Sequence, residues 1–482
     1  MSRTPEPRPG NSSGLLPRLL ARTALSLASL ALAGAAMAQA PDAETKAFRE
    51  IYQELIEINT SHSAGDTTRA ANAMRQRLLS AGFAPSDIEV IEPFPKKGNL
   101  LARFKGTGKK RPLLLLAHID VVEAKREDWK TDPFKLEEKD GYFIARGAID
   151  DKAMAASYVS VLAQLKREGF VPDRDIVLAL TADEERGGTP SNGAAWLVKQ
   201  RRAAVDAEFG INEGGRGELK AGKPVVHVMQ VGEKIYLDYE LEATGPGSHS
   251  ARPTPENTLY DLAEALVRLR QYRFPVVLSD ATKTYFRRSA PQQQDPAMKA
   301  DFLAVADGQP SAEVLERLSN RSSIIGLLRS TCVATMAQAG HAPNAQAQSA
   351  KATVNCRGLP GQDIAAITAK LEELAGPKVK VRALMHEEGA PSSPLNPELM
   401  RVVEGITADM WPGVPVVPTM GVSSTDSRTF RAAGIPMYGV SGLFVDPDAT
   451  GVHGLNERIG VQQLYDGRRF MYRMIKALAS GQ

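Results

Sequence analysis

Several residue types and patterns are scarce in this chain. Among 482 residues there are only two cysteines, Cys332 and Cys356. They stand equally far from Asn344 and flank a hairpin-like stretch. They therefore read either as one cross-strand bridge, which an exported compartment permits and which needs tight geometry, or as two buried thiols. Histidine is also sparse, at seven residues, so each one at a glycine-rich loop end is informative. There is no internal repeat and no long low-complexity linker. A composition of 43% hydrophobic and 24% charged residues excludes disorder and fibrous folds. The chain is too long for one ordinary core, so two domains are expected.

Long apolar runs are missing everywhere but near the start. Arg18 and Arg22 precede the run Thr23 to Ala36, and small residues follow it. The run falls short of the roughly 20 residues that span a bilayer, which argues against a membrane anchor. It reads as a secretory signal peptide over residues 1–38, cut after Ala38 because Ala36-Met37-Ala38 fits the small-x-small rule. A cut after Ala40 would place Pro41 beside it. The mature protein is then expected in the periplasm or secreted, with no membrane attachment. The leader carries four arginines and one glutamate, so its removal takes the formal charge from +3 to zero. No excess of positive charge remains to suggest nucleic-acid binding.

Along the mature chain, residues 42 to 81 read as two helices, with Phe48, Ile51, Tyr52, Leu55 and Ile58 at helical spacing. Asn99 to Phe104 alternates like a strand. Arg111 to Asp120 holds a wholly apolar run that suits a strand buried on both faces, ending at His118 and Asp120. A hairpin-like stretch from Phe134 to Ala145 turns at Asp140-Gly141. Then comes Ala145-Arg-Gly-Ala-Ile-Asp-Asp-Lys152, where a strand reading ends and a helix from about Lys152 to Arg167 begins. Asp175 to Thr181 is a second buried strand, running into Asp183-Glu184-Glu185. A helix from Asn192 to Arg201 leads to a third, Ala207 to Ile211, running into Asn212-Glu213-Gly214-Gly215. Ligands collect at the carboxyl ends of such strands, and here three of them end in acidic residues.

The pattern changes near residue 230. Lys234–Ala243, a helix Glu256–Leu269, strands Thr331–Gln338 and Ala350–Arg357, a helix Asp363–Leu374 and a strand Val379–Met385 give a β-α-β-β-α-β order, the split arrangement of a ferredoxin-like module. The polar stretch from about 272 to 330 reads as an insertion with some helix. From Asn396 the first pattern returns: a helix to about Met410, a strand near Val416, Thr425-Asp-Ser-Arg428 opening a helix, a strand Ile435–Val440 and a last helix Val461–Ala479. The expected layout is an α/β catalytic domain with a mixed sheet flanked by helices, made of residues 39–230 and 389–482. Residues 231–388 form an inserted α+β domain.

The chemistry rests on His118, Asp120, Asp150, Glu184, Glu185, Glu213 and His453. Imidazole and carboxylate donors together suit zinc. A carboxylate at a strand end, with Gly147 freeing the turn, can bridge two metal ions from its two oxygens. Two metals sharing one carboxylate need five protein ligands, and these residues can supply them. A metal-bound water becomes a nucleophile near neutral pH. A carboxylate that is not a ligand must then carry its proton to the leaving nitrogen. Adjacent Glu184 and Glu185 can divide those roles. Each piece alone is usually a solvated loop; repetition at successive strand ends is what carries the reading.

His118-Ile-Asp-Val-Val122, Arg146-Gly-Ala-Ile-Asp-Asp-Lys152, Thr181-Ala-Asp-Glu-Glu185, Asn212-Glu-Gly-Gly215 and His453-Gly-Leu-Asn-Glu457 resemble, in order, spacing and type, the motifs of the dinuclear zinc peptidases. That family includes carboxypeptidase G, aminoacylase, carnosinase and succinyl-diaminopimelate desuccinylase. The resemblance covers essentially the whole mature chain. It implies that His118 and Glu213 bind one zinc, that Glu185 and His453 bind the other, and that Asp150 bridges, with Co(2+) or Mn(2+) as substitutes. It implies Glu184 as general base, Asp120 as the carboxylate orienting His118, and a cis Asp150-Asp151 peptide. It also implies a lid and dimerisation role for the inserted domain, with a homodimer in which His249 of Gly247-Ser-His-Ser250 reaches a neighbouring subunit's site and meets the oxyanion. Asn344 and Arg357 match the substrate-binding pair, and a guanidinium fork suits a substrate carboxylate. The chain departs from the family at Ala153, Glu123 and Asn355, where glycine, proline and aspartate are usual; no ligand is lost. The expected activity is hydrolysis of an amide bond next to a free carboxylate, of the carboxypeptidase or dipeptidase type. An N-acyl-amino-acid deacylase shares all of this chemistry. A non-catalytic zinc- or peptide-binding protein is the rival of another class.

Overall fold

The computed structural model describes residues 42–386 and 389–480; the expected leader lies outside the described residues. The strand Leu113–His118 shows why an uninterrupted apolar run was needed. Its side chains alternate across the sheet, so Leu113 and Leu115 join one core while Leu114 and Leu116 join another. All six of its residues are buried. It lies parallel to Ile176–Thr181 on one side, with His118 level with Thr181, and parallel to Phe209–Asn212 on the other. These three strands therefore end on the same side of a ten-stranded mixed sheet. Asn99–Phe104 and Ile88–Ile91 extend one edge antiparallel. Met437–Gly439 and then Lys223–Glu233 continue the other.

Helices cover both faces. Ala43–Ile56, Thr67–Ser80, Lys152–Arg167 and Val461–Ser480 supply most of the larger core, and Gly193–Gln200 with Ser427–Ala432 supply the smaller one. The helix Lys152–Arg167 buries all but three of its 16 residues. That explains its run of alanines, which lets neighbouring elements approach closely.

A second, four-stranded sheet is antiparallel throughout. Its spatial order is Thr331–Ala339, Ser349–Gly358, Ile235–Thr244, Val379–His386. With helices Thr258–Gln271 and Ile364–Ala375 between its strands in sequence, this is the expected split β-α-β arrangement. In Ile235–Thr244 every second residue is buried, and Ile235, Leu237, Tyr239, Leu241 and Ala243 pack with Leu262, Ala265 and Ile367 in a core of their own. Cys332 and Cys356 sit directly opposite each other on adjacent strands and are bridged. Between the first helix and the second strand, the insertion forms helices Asp280–Ser289, Pro296–Ala306, Ala312–Ser319 and Ser322–Leu328. They enclose a small cluster around Phe286, Phe302 and Leu328. Arg288 of this insertion donates to the Val416 carbonyl of the main sheet at 2.7 Å.

The longest strand to escape the sequence reading belongs to the main sheet. Lys223–Glu233 is an 11-residue strand of the main sheet, paired in parallel with Val416–Gly421. His227 and Gln230 interrupt its apolar pattern, yet both are buried. His227 lies 2.8 Å from Thr407 Oγ1, and Gln230 Nε2 donates to Glu233 at 2.8 Å. Among the described residues no helix is long and apolar enough to cross a membrane.

Candidate metal centre

The hub loop is held in place by backbone geometry and by one distant acid. Gly147 has φ +82°, and a Cβ there would stand 2.9 Å from a methyl of Val121 and 3.0 Å from Lys152 Cδ, so only glycine fits. The Asp150-Asp151 peptide is cis. The fully buried carboxylate of Glu457 accepts the backbone N–H groups of Gly147 (3.0 Å), Ile149 (2.8 Å) and Asp150 (3.1 Å) and pairs with Arg146 at 2.7 Å. Lys152, also fully buried, donates to the carbonyls of Leu55 (3.0 Å) and Ile58 (2.8 Å).

Asp150 then faces two histidines. Its Oδ1 lies 2.9 Å from His118 Nε2, and its Oδ2 lies 3.0 Å from His453 Nε2. Glu213 Oε1 is 3.8 Å from His118 Nε2, and Glu185 Oε2 is 3.0 Å from His453 Nε2. The five side chains form two groups that could each hold a metal ion, His118–Asp150–Glu213 and Asp150–Glu185–His453, with ligand atoms within 4.8 Å of one another in each. Asp150 is common to both and turns one oxygen to each.

Asp120 does more than was expected of it. Its carboxylate accepts the backbone N–H of Glu184 at 3.1 Å and of Glu185 at 3.2 Å. The nearer partner of His118 Nδ1 is the main-chain carbonyl of Asp120, at 3.1 Å, with the carboxylate at 3.6 Å. The same loop is fixed by Asp183, which has φ +56° and receives hydrogen bonds from Lys97 (2.7 Å) and Ser191 (2.6 Å).

The electrostatics suit positive charge. Burial raises the Glu184 carboxyl well above its usual range, and the Glu213 charge adds to this. Burial and the Asp150 charge do the same to Glu213. Hydrogen bonds with Asp150 and Glu185 push His453 up to about 10. Burial opposes ionisation of Asp150, but the hydrogen bonds from His118 and His453 outweigh it and hold its carboxyl below the usual range. A buried polar atom of the hub, Asp151 Oδ2, has no hydrogen-bond partner among the described residues. An imidazole–carboxylate donor set with surplus negative charge and one shared carboxylate fits a pair of divalent cations.

Asp150, Glu184, Glu185, Glu213 and His453 line one cleft of about 650 Å³. Met154, Val228, Met420, Leu443 and Val445 give it an apolar wall, and Arg216 brings a guanidinium into it. Arg357 stands at the rim: it stacks on Tyr236 at 4.3 Å and donates to the carbonyl of Val422, a lining residue, at 3.2 Å. His249 and Asn344 lie elsewhere. They are exposed neighbours on two loops of the second sheet, where Ser250 N–H donates to the Asn344 carbonyl at 2.9 Å, and neither lines the cleft. Glu457, Arg216 and Asp426 are among the site residues not assigned from sequence. Asp426 is buried and accepts from Asn192 (2.9 Å) and Thr181 (3.0 Å), and burial pushes its carboxyl up to about 6. Glu457 and Asp426 stand within motifs already noted, His453 to Glu457 and Thr425 to Arg428. A polar residue inside a motif but spare to its chemistry was the available signal.

A mixed sheet whose parallel strands end in histidine and acidic donors around one shared carboxylate defines a hydrolase of the metallopeptidase class. The chain belongs to Peptidase family M20/M25/M40, whose model matches residues 114–477. It is an enzyme. It is 27% identical over 453 residues to the N-fatty-acyl-amino acid synthase/hydrolase PM20D1 of Mus musculus, covering 91% of this chain and 89% of that one. It is 24% identical over 409 residues to carboxypeptidase S of Saccharomyces cerevisiae, covering 76% of this chain and 71% of that one. Among solved structures, the M20 family metallo-carboxypeptidase Sso-CP2 from Sulfolobus solfataricus shares the fold, with a TM-score of 0.65 at 18% identity over 89% of this chain and 98% of that one.

Proposed function

We propose that this enzyme is an exported two-zinc hydrolase that cleaves an amide bond adjacent to a free carboxylate. The observation that carries the reading is the division of Asp150, one oxygen 2.9 Å from His118 and the other 3.0 Å from His453, beside half-buried Glu184. His118 and Glu213 would hold one cation and Glu185 and His453 the other, with Asp150 between; cobalt or manganese suits the same donors. When bound, such a pair polarises the substrate carbonyl and lowers the pKa of a shared water. Glu184, whose raised carboxyl suits proton transfer, takes the proton of the attacking water and delivers it to the leaving nitrogen. Asp120 holds Glu184 at the right height through its backbone. Arg357, at the rim, takes the substrate carboxylate, and Asn344, outside its own chain's cleft, would join it from a second copy of the chain.

His249 and Asn344 do not line the cleft of their own chain. This supports a homodimer in which residues 231–388 act as lid and dimerisation domain and supply His249 to the oxyanion of the partner's site. Residues 39–230 and 389–482 then form the catalytic domain. Export to the periplasm or beyond is supported by the leader-like start and by the Cys332–Cys356 bridge.

Two substrate classes share this chemistry: short peptides and N-acyl amino acids. The apolar wall of Met154, Leu443 and Val445 favours an acyl chain over a charged amino terminus. The test is turnover of both classes by zinc-loaded wild type and by Glu184→Gln. The substitution should lower turnover by about 10²–10⁴-fold with metal content unchanged. Undiminished turnover rules the mechanism out, and the preferred class in the wild type decides between the two substrates.

A further inference from the structure

A second cavity, of about 600 Å³, shares no lining residue with the metal-centre cleft. It lies between the end of helix Thr258–Gln271, the helix Ser322–Leu328 and the start of the edge strand Thr331–Ala339. Its size is within the range of roughly 300–1,000 Å³ typical of small-molecule sites. Leu266, Leu269, Phe274, Ile325 and Val333 make its walls apolar. Arg270, Arg273 and Arg329 also line it, and no carboxylate does.

The guanidinium groups are what make this a site rather than a crevice. Arg329 is only 9% exposed, and among the described residues its Nε has no hydrogen-bond partner. Arg273 is exposed and donates to the main-chain carbonyl of Arg270 at 3.1 Å. Among the described residues none of the three arginines has a carboxylate ion-pair partner. Burial and then the Arg273 charge lower the proton affinity of the Arg329 guanidinium, while the charge of Glu316, which is not a lining residue, opposes this. Holding a buried cation beside a second one costs free energy unless an anion joins them. An anion alone would leave the apolar walls wet, and a neutral lipid would leave the cations unpaired.

We propose that this cavity binds an acyl carboxylate, one anionic head held by the Arg273 and Arg329 guanidinium groups and one flexible alkyl chain lying on Leu266, Leu269, Phe274 and Ile325. A planar guanidinium accepts a carboxylate through paired hydrogen bonds, and the chain gains by leaving water. A free fatty acid and an N-acyl amino acid both carry this chemistry. The proposal does not depend on the assignment of the metal centre, since it uses none of its residues.

The experiment is calorimetric titration of the full chain carrying Glu184→Gln, which prevents turnover, with dodecanoate and with N-dodecanoylglycine below their micelle concentrations. At least one should bind, and their ratio identifies which head the site reads. Affinity should rise roughly fourfold per methylene from octanoate to dodecanoate. Adding Arg273→Gln should weaken binding by about tenfold or more. In the wild-type background the same substitution should leave turnover of N-acetyl amino acids unchanged. Arg329→Lys, which keeps the buried charge and loses the fork, should weaken binding without unfolding the chain, as checked by circular dichroism. Equal binding of dodecanol overturns the proposal, as does binding that survives Arg273→Gln but is displaced by an excess of N-acetyl amino acid. Binding by neither carboxylate overturns it too. If the metal-centre reading were wrong, N-acetyl amino acid turnover would be absent while these titrations kept their pattern.

Discussion

Glu457 accepts the backbone N–H of Asp150 at 3.1 Å, across 307 positions of sequence. The same carboxylate takes the N–H groups of Gly147 and Ile149 and the guanidinium of Arg146, so one acid closes the whole hub loop. Both partners of the ion pair are almost wholly buried, at 3% and 1% side-chain exposure.

Removing that acid should therefore cost more than one hydrogen bond. Glu457→Ala leaves Arg146 as a buried, uncompensated cation and strips three backbone donors of their acceptor. The expected loss is about 3–5 kcal/mol in urea unfolding, together with weaker metal retention because Asp150 is no longer aimed. Glu457→Gln keeps the shape and should lose less. A Glu457→Ala protein of unchanged stability would show that the loop holds itself.

Asp120 provides a second test, because its two roles separate. His118 Nδ1 lies nearer the Asp120 main-chain carbonyl than its carboxylate, at 3.1 Å against 3.6 Å. Asp120→Asn should thus leave the imidazole oriented while turning one amide donor toward the Glu184 or Glu185 N–H. The expected result is a fall in kcat of about 10–100-fold with metal content retained. Loss of metal in proportion to activity would return Asp120 to the simpler role of orienting His118.

Much of this arrangement is legible in the sequence for a physical reason. His118 ends, and Glu184 and Glu213 follow, a strand that must be apolar on both faces, and parallel pairing then carries all three strand ends to one side of the sheet. Where such strands stop, polar residues stand out. Glu457 is not legible in this way, because its importance lies in the direction of backbone N–H groups more than three hundred positions away, and no spacing rule encodes that. The strand Lys223–Glu233 is hidden for a related reason. His227 and Gln230 break its alternation, and only their partners Thr407 and Glu233 make them fit for burial. His249 and Asn344 are expected at a site by resemblance alone, and neither lines its own chain's cleft.

The Cys332–Cys356 bridge closes a loop of 24 positions within the second sheet. A constraint of that length on the unfolded chain is worth roughly 3 kcal/mol. The double substitution Cys332→Ser with Cys356→Ser should lower stability by about that amount. Reductant should move the wild type to the same midpoint and leave the variant unmoved. A variant as stable as the oxidised wild type would show that the surrounding strand pairing already supplies the constraint.

His227 sets a pH limit on the fold that is independent of the metal centre. It is fully buried among Phe470, Phe444 and Trp411, with ring centroids at 4.9, 5.3 and 6.0 Å, and among the described residues its Nε2 has no hydrogen-bond partner. Burial pushes its pKa from 6.5 down to about 3. In the window between those values the unfolded chain takes up a proton that the folded chain refuses. Stability that is complete above about pH 6.5 is therefore lost progressively as the pH falls toward 3. The slope approaches 1.4 kcal/mol per pH unit for one such group, or about 2 kcal/mol between neutrality and pH 5. Other carboxylates also titrate in acid, so the measurement is the difference between wild type and His227→Gln in urea unfolding at several pH values. The variant should start less stable, because the packing and the Thr407 hydrogen bond are altered, and then lose about 2 kcal/mol less than the wild type on acidification to pH 5. Parallel curves for the two proteins would mean that His227 is protonated in the folded state, and a proton there would need an acceptor that its buried surroundings do not offer.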